Sequence, residues 1–389
     1  VGPLVTVSSI VFSITIVTLT VAANQFGSRL VRTYMADPRT KLSLGLFVAT
    51  VVYCLMAMRS FSHDTPPEQV PHVTVTLGLV LGVAGVLMLA FFLHNVGRSI
   101  VADEVIRRVA AGLEEAIGEL EAGAQCCPPA APSPPGSAGL MRCLAEGYVQ
   151  AVRYEDLVQV ARAREATLHL PFPPGCFRCQ GGWLAHVEPP HGLDEALVEA
   201  VHAAVLIGPL RTPTQDLEFA MRHLVDIALR ALSPGINDAN TAMVVIDRLR
   251  GALSTLMAKR LPPAQHRDAQ GRTRVVTPCH TYAELIDYAF DQIRRAASAH
   301  TAVVLHLLGA ISRLAEHVQL AEQADALRRQ AKLVASAGIE QAQVPEDRLD
   351  VSRALDGTLR KLSVLFPPEL GPDAARLSPA GSAPSCGSN

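Results

Sequence analysis

The chain has 389 residues, with 34 Lys and Arg against 36 Asp and Glu and a formal net charge of −2. That balance offers no electrostatic case for a nucleic-acid partner. Charged residues are 18% and hydrophobic ones 49%, where ordinary soluble domains carry roughly 25% charged residues, so the composition points to apolar spans attached to something polar. The length allows two or three domains.

Near the start stands VTVSSIVFSITIVTLTVAANQFGSR. Residues 4–23 are a run without charge, long enough at 1.5 Å rise per residue to cross roughly 30 Å of hydrocarbon. Nothing basic precedes Leu4, as a secretory signal would require, so the run reads as a retained span. The first residue is Val rather than Met, and an upstream span is expected to be missing. Residues 42–58 (LSLGLFVATVVYCLMAM) and 73–93 (VTVTLGLVLGVAGVLMLAFFL) supply the second and third expected spans. Arg29, Arg32, Arg39 and Lys41 fill the first connection against Asp37, while the second carries Arg59 with Asp64 and Glu68. Arg98, Arg107 and Arg108 follow the third span. The excess of basic residues places the first connection and everything after residue 93 in the cytosol.

At 100° per residue, Thr6, Ser9, Ser13, Thr20 and Asn24 fall on one face of the first span, with Ser8, Thr15 and Thr18 on the far side. A helix-packing face is the first reading of this polar stripe. A wet lining is the second, and hydroxyls bonded back to their own helix carbonyls the third. Gly78, Gly82 and Gly85 give the third span a small-residue face. His94 sits at the cytosolic interface, where a solvated ring is the plainer reading and a proton-binding one the sharper.

Residues 99–121 carry apolar side chains at three- and four-residue spacing and predict an amphipathic helix leading inward. CCPPAAPSPPGSAG then reads as a linker. GYVQAV, ATLHL, CFRCQGGWLAHVE and AVLIGP are short, partly alternating and punctuated by Pro and Gly, which predicts a small β-rich module, interrupted by a helix over 193–203. From there the pattern is helical. Thr212 reads as an N-cap with Pro213 at the first helical position and Gln215 completing a capping box. SPG stops that helix, Asn237 or Asp238 caps the next, and further helices are expected over 280–298, 301–318, 327–336 and 351–365.

The expected organisation is therefore membrane α-helical over 1–96, a helix into the cytosol over 97–123, a linker over 124–139, a β-rich cytosolic module over 140–210, a helical bundle over 211–377 and a disordered tail over 378–389. The eight cysteines are scattered, several on the cytosolic side, and a disulfide framework is not expected. CFRC with His186 and His191 has the spacing of half a zinc site, but the other half is missing. No phosphate loop, HExxH or GxSxG motif appears, so no metal and no cofactor are expected. The densest polar stretch brings Arg211, Thr212, Gln215, Asp216, Asn237 and Asp238 to two successive helix starts. They form either an anion-binding corner or a set of caps that fixes a tight turn.

VTVSSIVFSIT…NQFGSR, LGLFVATVVYCL, FFLHNVGRSI, GYVQ, IGPLRTPTQDLEF and ALSPGINDANTA together resemble DUF2254, a bacterial family of predicted membrane proteins without an assigned activity. The resemblance covers most of the chain. It implies about four spans near the N-terminus, a bacterial inner (cytoplasmic) membrane and a cytosolic C-terminal domain. The family usually reads SPGINDP where this chain has Ala239, and often has an acid where Cys176 stands. Three functional expectations follow. The first is an oligomeric, channel- or transporter-like assembly in the bilayer with a cytosolic sensing domain. The second is a membrane-anchored ligand-binding or scaffold protein, its ligand unknown. Behind both stands an enzyme using Asp216, Asp238 or His223, for which spacing yields no nucleophile–base pair.

Overall fold

In the computed structural model the described residues are 6, 9–17, 20, 38–59, 72–99, 102–124 and 139–367. Asn24, the two connections between spans, nearly all of the expected linker and the tail lie outside them.

Residues 9–17 are helical, followed by α1 (Pro38–Arg59) and α2 (His72–Ser99). The pair α1 and α2 run antiparallel, because Ser43 near the start of α1 meets the Met88 sulfur at 3.3 Å while the Tyr53 hydroxyl donates to the Thr74 carbonyl at 3.0 Å. Among the described residues one helix segment, His72–Phe91, has the length and hydropathy to cross a bilayer, with a mean hydropathy of 2.4. Lys41–Ala57 is apolar but shorter. At 1.5 Å per residue it spans roughly 26 Å, short of the roughly 30 Å hydrocarbon layer. Only part of 4–23 is described. The expected three spans thus come down to one that meets the criterion.

Two residues beyond α2 begins α3 (Ala102–Gly118), whose Ile106, Ala110, Leu113 and Ile117 are buried at helical spacing. They bury against the bundle, not against another membrane helix.

The strands are β1 (Gly139–Arg142), β2 (Gly147–Val152), β3 (Thr167–His169), β4 (Phe177–Arg178), β5 (Trp183–Glu188), β6 (Val205–Gly208), β7 (Gln265–Arg267) and β8 (Thr273–Val276). They form a five-stranded sheet in the order β1-β5-β3-β8-β7 and a three-stranded sheet in the order β4-β2-β6. Helices α4 (Tyr154–Ala163) and α5 (Glu195–Ala204) cover them over a core that includes Leu157, Leu168, Val187, Val201 and Val275. Asp194 caps α5, accepting from the Leu197 amide at 2.6 Å. The β7–β8 hairpin lies within the stretch expected to be wholly helical. It pairs β8 in parallel with β3, so the sheet closes only with residues about a hundred positions further on. Asp268 shapes its turn by accepting from the Gln270 and Arg272 amides at 3.0 and 2.9 Å and from Arg274 Nε at 2.8 Å.

The bundle consists of α6 (Leu217–Ala231), α7 (Ala239–Leu256), α8 (Tyr282–Ala297), α9 (Thr301–Leu314), α10 (Ala321–Gln341) and α11 (Pro345–Leu365), with α3 as one wall of the same core. A capping box of Thr281 and Glu284 starts α8. The wholly buried Gln323 amide accepts from the Gln319 amide at 2.8 Å and donates to the Met257 carbonyl at 3.1 Å, tying the start of α10 to the end of α7. Helix α10 is longer at both ends than its apolar stretch predicts.

Helices α9 and α10 touch most closely at Gly338, where an added Cβ would lie 2.6 Å from Val304 Cγ1. Gly338→Ala is therefore expected to lower stability by about 1–3 kcal/mol. Gly251→Ala on α7, where nothing stands within 4 Å, should raise it by about 0.5–1 kcal/mol. Paired urea titrations with equal m-values check both.

Candidate functional site

The sheet module and the bundle meet along the segment 210–217. The Gln215 side chain pairs with the β2 backbone as a neighbouring strand would: Oε1 accepts from the Val152 amide at 2.8 Å and Nε2 donates to the Val152 carbonyl at 3.2 Å. The Thr212 hydroxyl donates to the Gln150 carbonyl at 3.3 Å, and the Gln150 amide reaches the Leu210 carbonyl at 2.7 Å. Helix α6 thus begins at Leu217 with Asp216 as N-cap, its Oδ1 accepting from the Phe219 amide at 2.9 Å. The expected Thr212–Gln215 capping box does not form, because both side chains are taken by tertiary partners on β2.

Asp216 is 1% exposed and takes both arms of Arg211, Nε at 2.5 Å and Nη2 at 3.0 Å. Arg211 also lies 3.6 Å from Glu218 and stacks over the Phe219 ring at 5.3 Å. Burial disfavours the Arg211 cation, but the hydrogen bond and charge of Asp216, reinforced by Glu218, more than offset this and hold it above its ordinary pKa. Gly175, at φ +92°, lies against the carboxylate, where any Cβ would collide with Asp216.

The other half of the expected corner is elsewhere. Asp238 caps α7, accepting from the Thr241 amide at 3.0 Å and its hydroxyl at 2.6 Å. These bonds, the hydroxyl one foremost, hold its carboxyl below the usual range. Asn237 occupies the left-handed region at φ +51° in the turn before it. Because α6 has 15 residues, Asp216 and Asp238 stand at opposite ends of a helix roughly 22 Å long. Arg211, Thr212, Gln215 and Asp216 therefore form one junction, and Asn237 and Asp238 a separate helix cap.

Next to the junction is a cavity of about 270 Å³, near the lower end of small-ligand pockets, which run from roughly 300 Å³. Ala116 and Leu120 of the α3 segment, Leu217 and Leu261 supply apolar walls, and six prolines (173, 174, 213, 262, 263 and 278) frame it. Gln215 and Asp216 reach it from the junction, and Tyr154, His266, Thr277 and His280 add polar groups. A more open depression of about 360 Å³, lined by Glu218, Glu284 and Tyr288, shares Pro173, Pro278, Cys279 and His280 with it. His266 stacks on Tyr154 with ring centroids 4.0 Å apart, and its Nε2 is buried without a hydrogen-bond partner. Burial pushes its pKa down to about 4, so the ring is neutral at physiological pH. Periodicity singles out Leu120 but not His266 or Tyr154. The available signal is the recurrence of proline in PFPPG, LPP and TPC, three stretches that converge on the cavity.

Among the other expected sites, Thr6, Ser9, Ser13 and Thr20 are exposed, while Val11 and Thr15 on the opposite side are buried beside Phe47. The Thr20 hydroxyl donates to the Ile16 carbonyl at 2.9 Å and that of Thr15 to the Val11 carbonyl at 2.7 Å. Asn24 and the His94 side chain lie outside the described residues, though His94 falls within α2. Among the described residues no group of three or more His, Cys, Asp and Glu stands close enough to hold a metal ion. Cys54, Cys143, Cys176 and Cys179 are free thiols. Cys279, on the shared rim, is disulfide-bonded.

Asp216→Ala removes a cap and leaves Arg211 half-buried beside an empty place, and is expected to cost about 3–5 kcal/mol. Asp238→Ala, which removes a cap alone, should cost about 1 kcal/mol. Urea midpoints of the two variants check the contrast. Unfolded His266 takes up a proton near its ordinary value of about 6.5 while the folded ring waits until about 4. Stability should thus be lost as pH falls from about 6.5 to about 4 and level off below. With solvent screening the loss amounts to about 1–2 kcal/mol. His266→Phe, which keeps the stack on Tyr154, should remove that part of the slope in urea midpoints measured from pH 7.5 to 4.

Comparison with known proteins follows the same lines. The family model described as "Predicted membrane protein (DUF2254)" matches residues 1–313, which takes in the membrane helices, the sheet module, the junction and the cavity. Uncharacterized protein Mb1321c of Mycobacterium bovis and Uncharacterized protein Rv1290c of Mycobacterium tuberculosis are each 30% identical to the chain over 357 residues, covering 89% of it and 68% of the relative. No solved structure matches. The match takes in the N-terminal helices, the sheet module and the first part of the bundle, and the chain belongs to the DUF2254 family of predicted membrane proteins.

Proposed function

We propose that this chain is a bacterial inner-membrane protein whose cytosolic half senses a small, mostly apolar ligand bound in the cavity between sheet module and bundle. The observation that carries this reading is the position of α3. It starts two residues after α2, and its far end forms a cavity wall through Ala116, Glu119 and Leu120. That end is clamped to the bundle: Lys259 Nζ donates to the Gly118 and Leu120 carbonyls at 3.2 and 2.8 Å, and the Gly123 amide to the Ala258 carbonyl at 2.9 Å. A ligand touching Ala116 therefore touches the helix that follows α2 in the chain, and a preference for one α3 position would bias α2. The basic flanks of the spans support a cytosolic placement.

A second feature of the assembly rests on the polar stripe. Ser9, Ser13 and Thr20 point away from the chain's own helices, which supports a homo-oligomer in which the stripe meets another copy or lines a conducting path.

The test of the ligand reading is thermal denaturation of the full-length protein in lipid discs with a panel of small apolar compounds. Compounds that bind should raise the melting temperature by several degrees, and Ala116→Trp, which fills the cavity, should abolish the shift. No shift from any compound, or one that survives Ala116→Trp, counts against it. For the stripe, single cysteines at Ser9 and Ser13 should react with a membrane-impermeant thiol reagent if the face is wet. Protection together with a multimeric mass would assign it to packing between copies.

A further inference from the structure

A different part of the sheet module brings two free thiols to one turn. Cys179-Gln180-Gly181-Gly182 is a β-turn closed by the Gly182 amide donating to the Cys179 carbonyl at 3.0 Å, with Gly181 at φ +76° in its third position. Cys143 is bonded to the same turn in both directions. Its amide donates to the Gly182 carbonyl at 2.8 Å and its carbonyl accepts from the Gly181 amide at 2.8 Å. Arg178, one residue before Cys179, pairs in register with Gly147 on β2, four residues after Cys143. Both cysteines are thus fixed at one crossing of backbone, Cys143 buried at 2% exposure and Cys179 exposed.

Arg178 lies beside Cys143. Its Nη2 donates to the Trp183 carbonyl at 2.5 Å and its guanidinium stacks on Phe172 at 4.8 Å, while its Nε is buried with no hydrogen-bond partner. Burial raises the Cys143 thiol pKa, and the charge and hydrogen bond of Arg178 oppose that rise.

We propose that Cys143 and Cys179 are a peroxide-sensitive dithiol, with exposed Cys179 as the attacking thiol, buried Cys143 as the resolving thiol and Arg178 as the positioning residue. The Cys179 sulfur attacks hydrogen peroxide, the O–O bond breaks, and the products are Cys179 sulfenic acid and one water. The Cys143 sulfur then attacks the sulfenic sulfur. The S–S bond forms as the S–OH bond breaks, and the leaving hydroxide takes the Cys143 proton as a second water. Two thiols and one peroxide thus become one disulfide and two waters. Thiol–disulfide exchange with a reduced dithiol reverses the change. A reducing compartment is where such a bond is transient and reports on oxidants rather than bracing the fold.

The experiment treats the full-length protein in lipid discs with hydrogen peroxide, blocks the remaining thiols with iodoacetamide and maps the peptides by mass. The expected product links the Cys143 and Cys179 peptides with loss of two hydrogens. Trp183, the only tryptophan in the chain, lies beside the turn with Arg142 stacked on it at 4.6 Å, so intrinsic fluorescence should shift with the same time course. Dithiothreitol should reverse both signals and Cys179→Ser should abolish both, while its melting temperature stays that of the parent because Cys179 is exposed. Arg178→Met should slow linkage about tenfold, with Arg178→Lys recovering most of the rate. A bond between Cys176 and Cys179, a Cys179 sulfinic acid with Cys143 still open to alkylation, or no reaction at either thiol would each overturn the proposal.

Discussion

The arrangement of the sheet module and the bundle turns on one buried carboxylate. Asp216 caps α6 and takes both arms of Arg211 in the same place. It does so 1% exposed, where an unpaired charge would be heavily penalised. The pair can exist only because Gly175 leaves room above it and because Gln215 fastens the neighbouring backbone to β2. The start of the bundle and the edge of the sheet are thereby locked together by charge, cap and strand-like hydrogen bonds at once. The cavity lies beside this lock, and its shape depends on it, since Gln215, Asp216 and Leu217 are part of its wall.

Stiffness around the cavity has a second source. Six prolines frame it, and each fixes a backbone angle and removes an amide donor, so these loops cannot fold into helix or strand and fill the space. The aromatic stack of Tyr154 and His266 closes another side. Burial keeps that imidazole neutral, which leaves an apolar chamber with few polar atoms at its margin. One wall, the end of α3, moves only if the hydrogen bonds from Lys259 and the bridge at Ala122 move with it.

Local signals were legible where local partners satisfy them. Asp238 caps the helix that follows it, and SPG ends α6. The run of buried positions on α3 matches its apolar spacing. The Thr212–Gln215 box was misread for a reason visible in the structure: its two side chains have better partners on β2, more than sixty residues earlier in the chain. The β7–β8 hairpin escaped notice because strands of three and four residues carry too few alternations to register against a helical background. Of the expected polar corner, four residues converge and two cap a different helix, since proximity along the chain says nothing about which end of α6 a residue occupies.

By itself the sequence determined the apolar character of the N-terminal helices, a β-rich module followed by helices, and several helix ends such as the Asp238 cap, because hydropathy and capping act over one to four residues. Only the tertiary structure decided which residues surround the cavity, that β8 completes a sheet begun at β1, and that Asp216 rather than Thr212 begins α6. Each of these depends on contacts between segments sixty or more residues apart. There the choice among partners is made by burial and by completed hydrogen bonds, which no local spacing encodes.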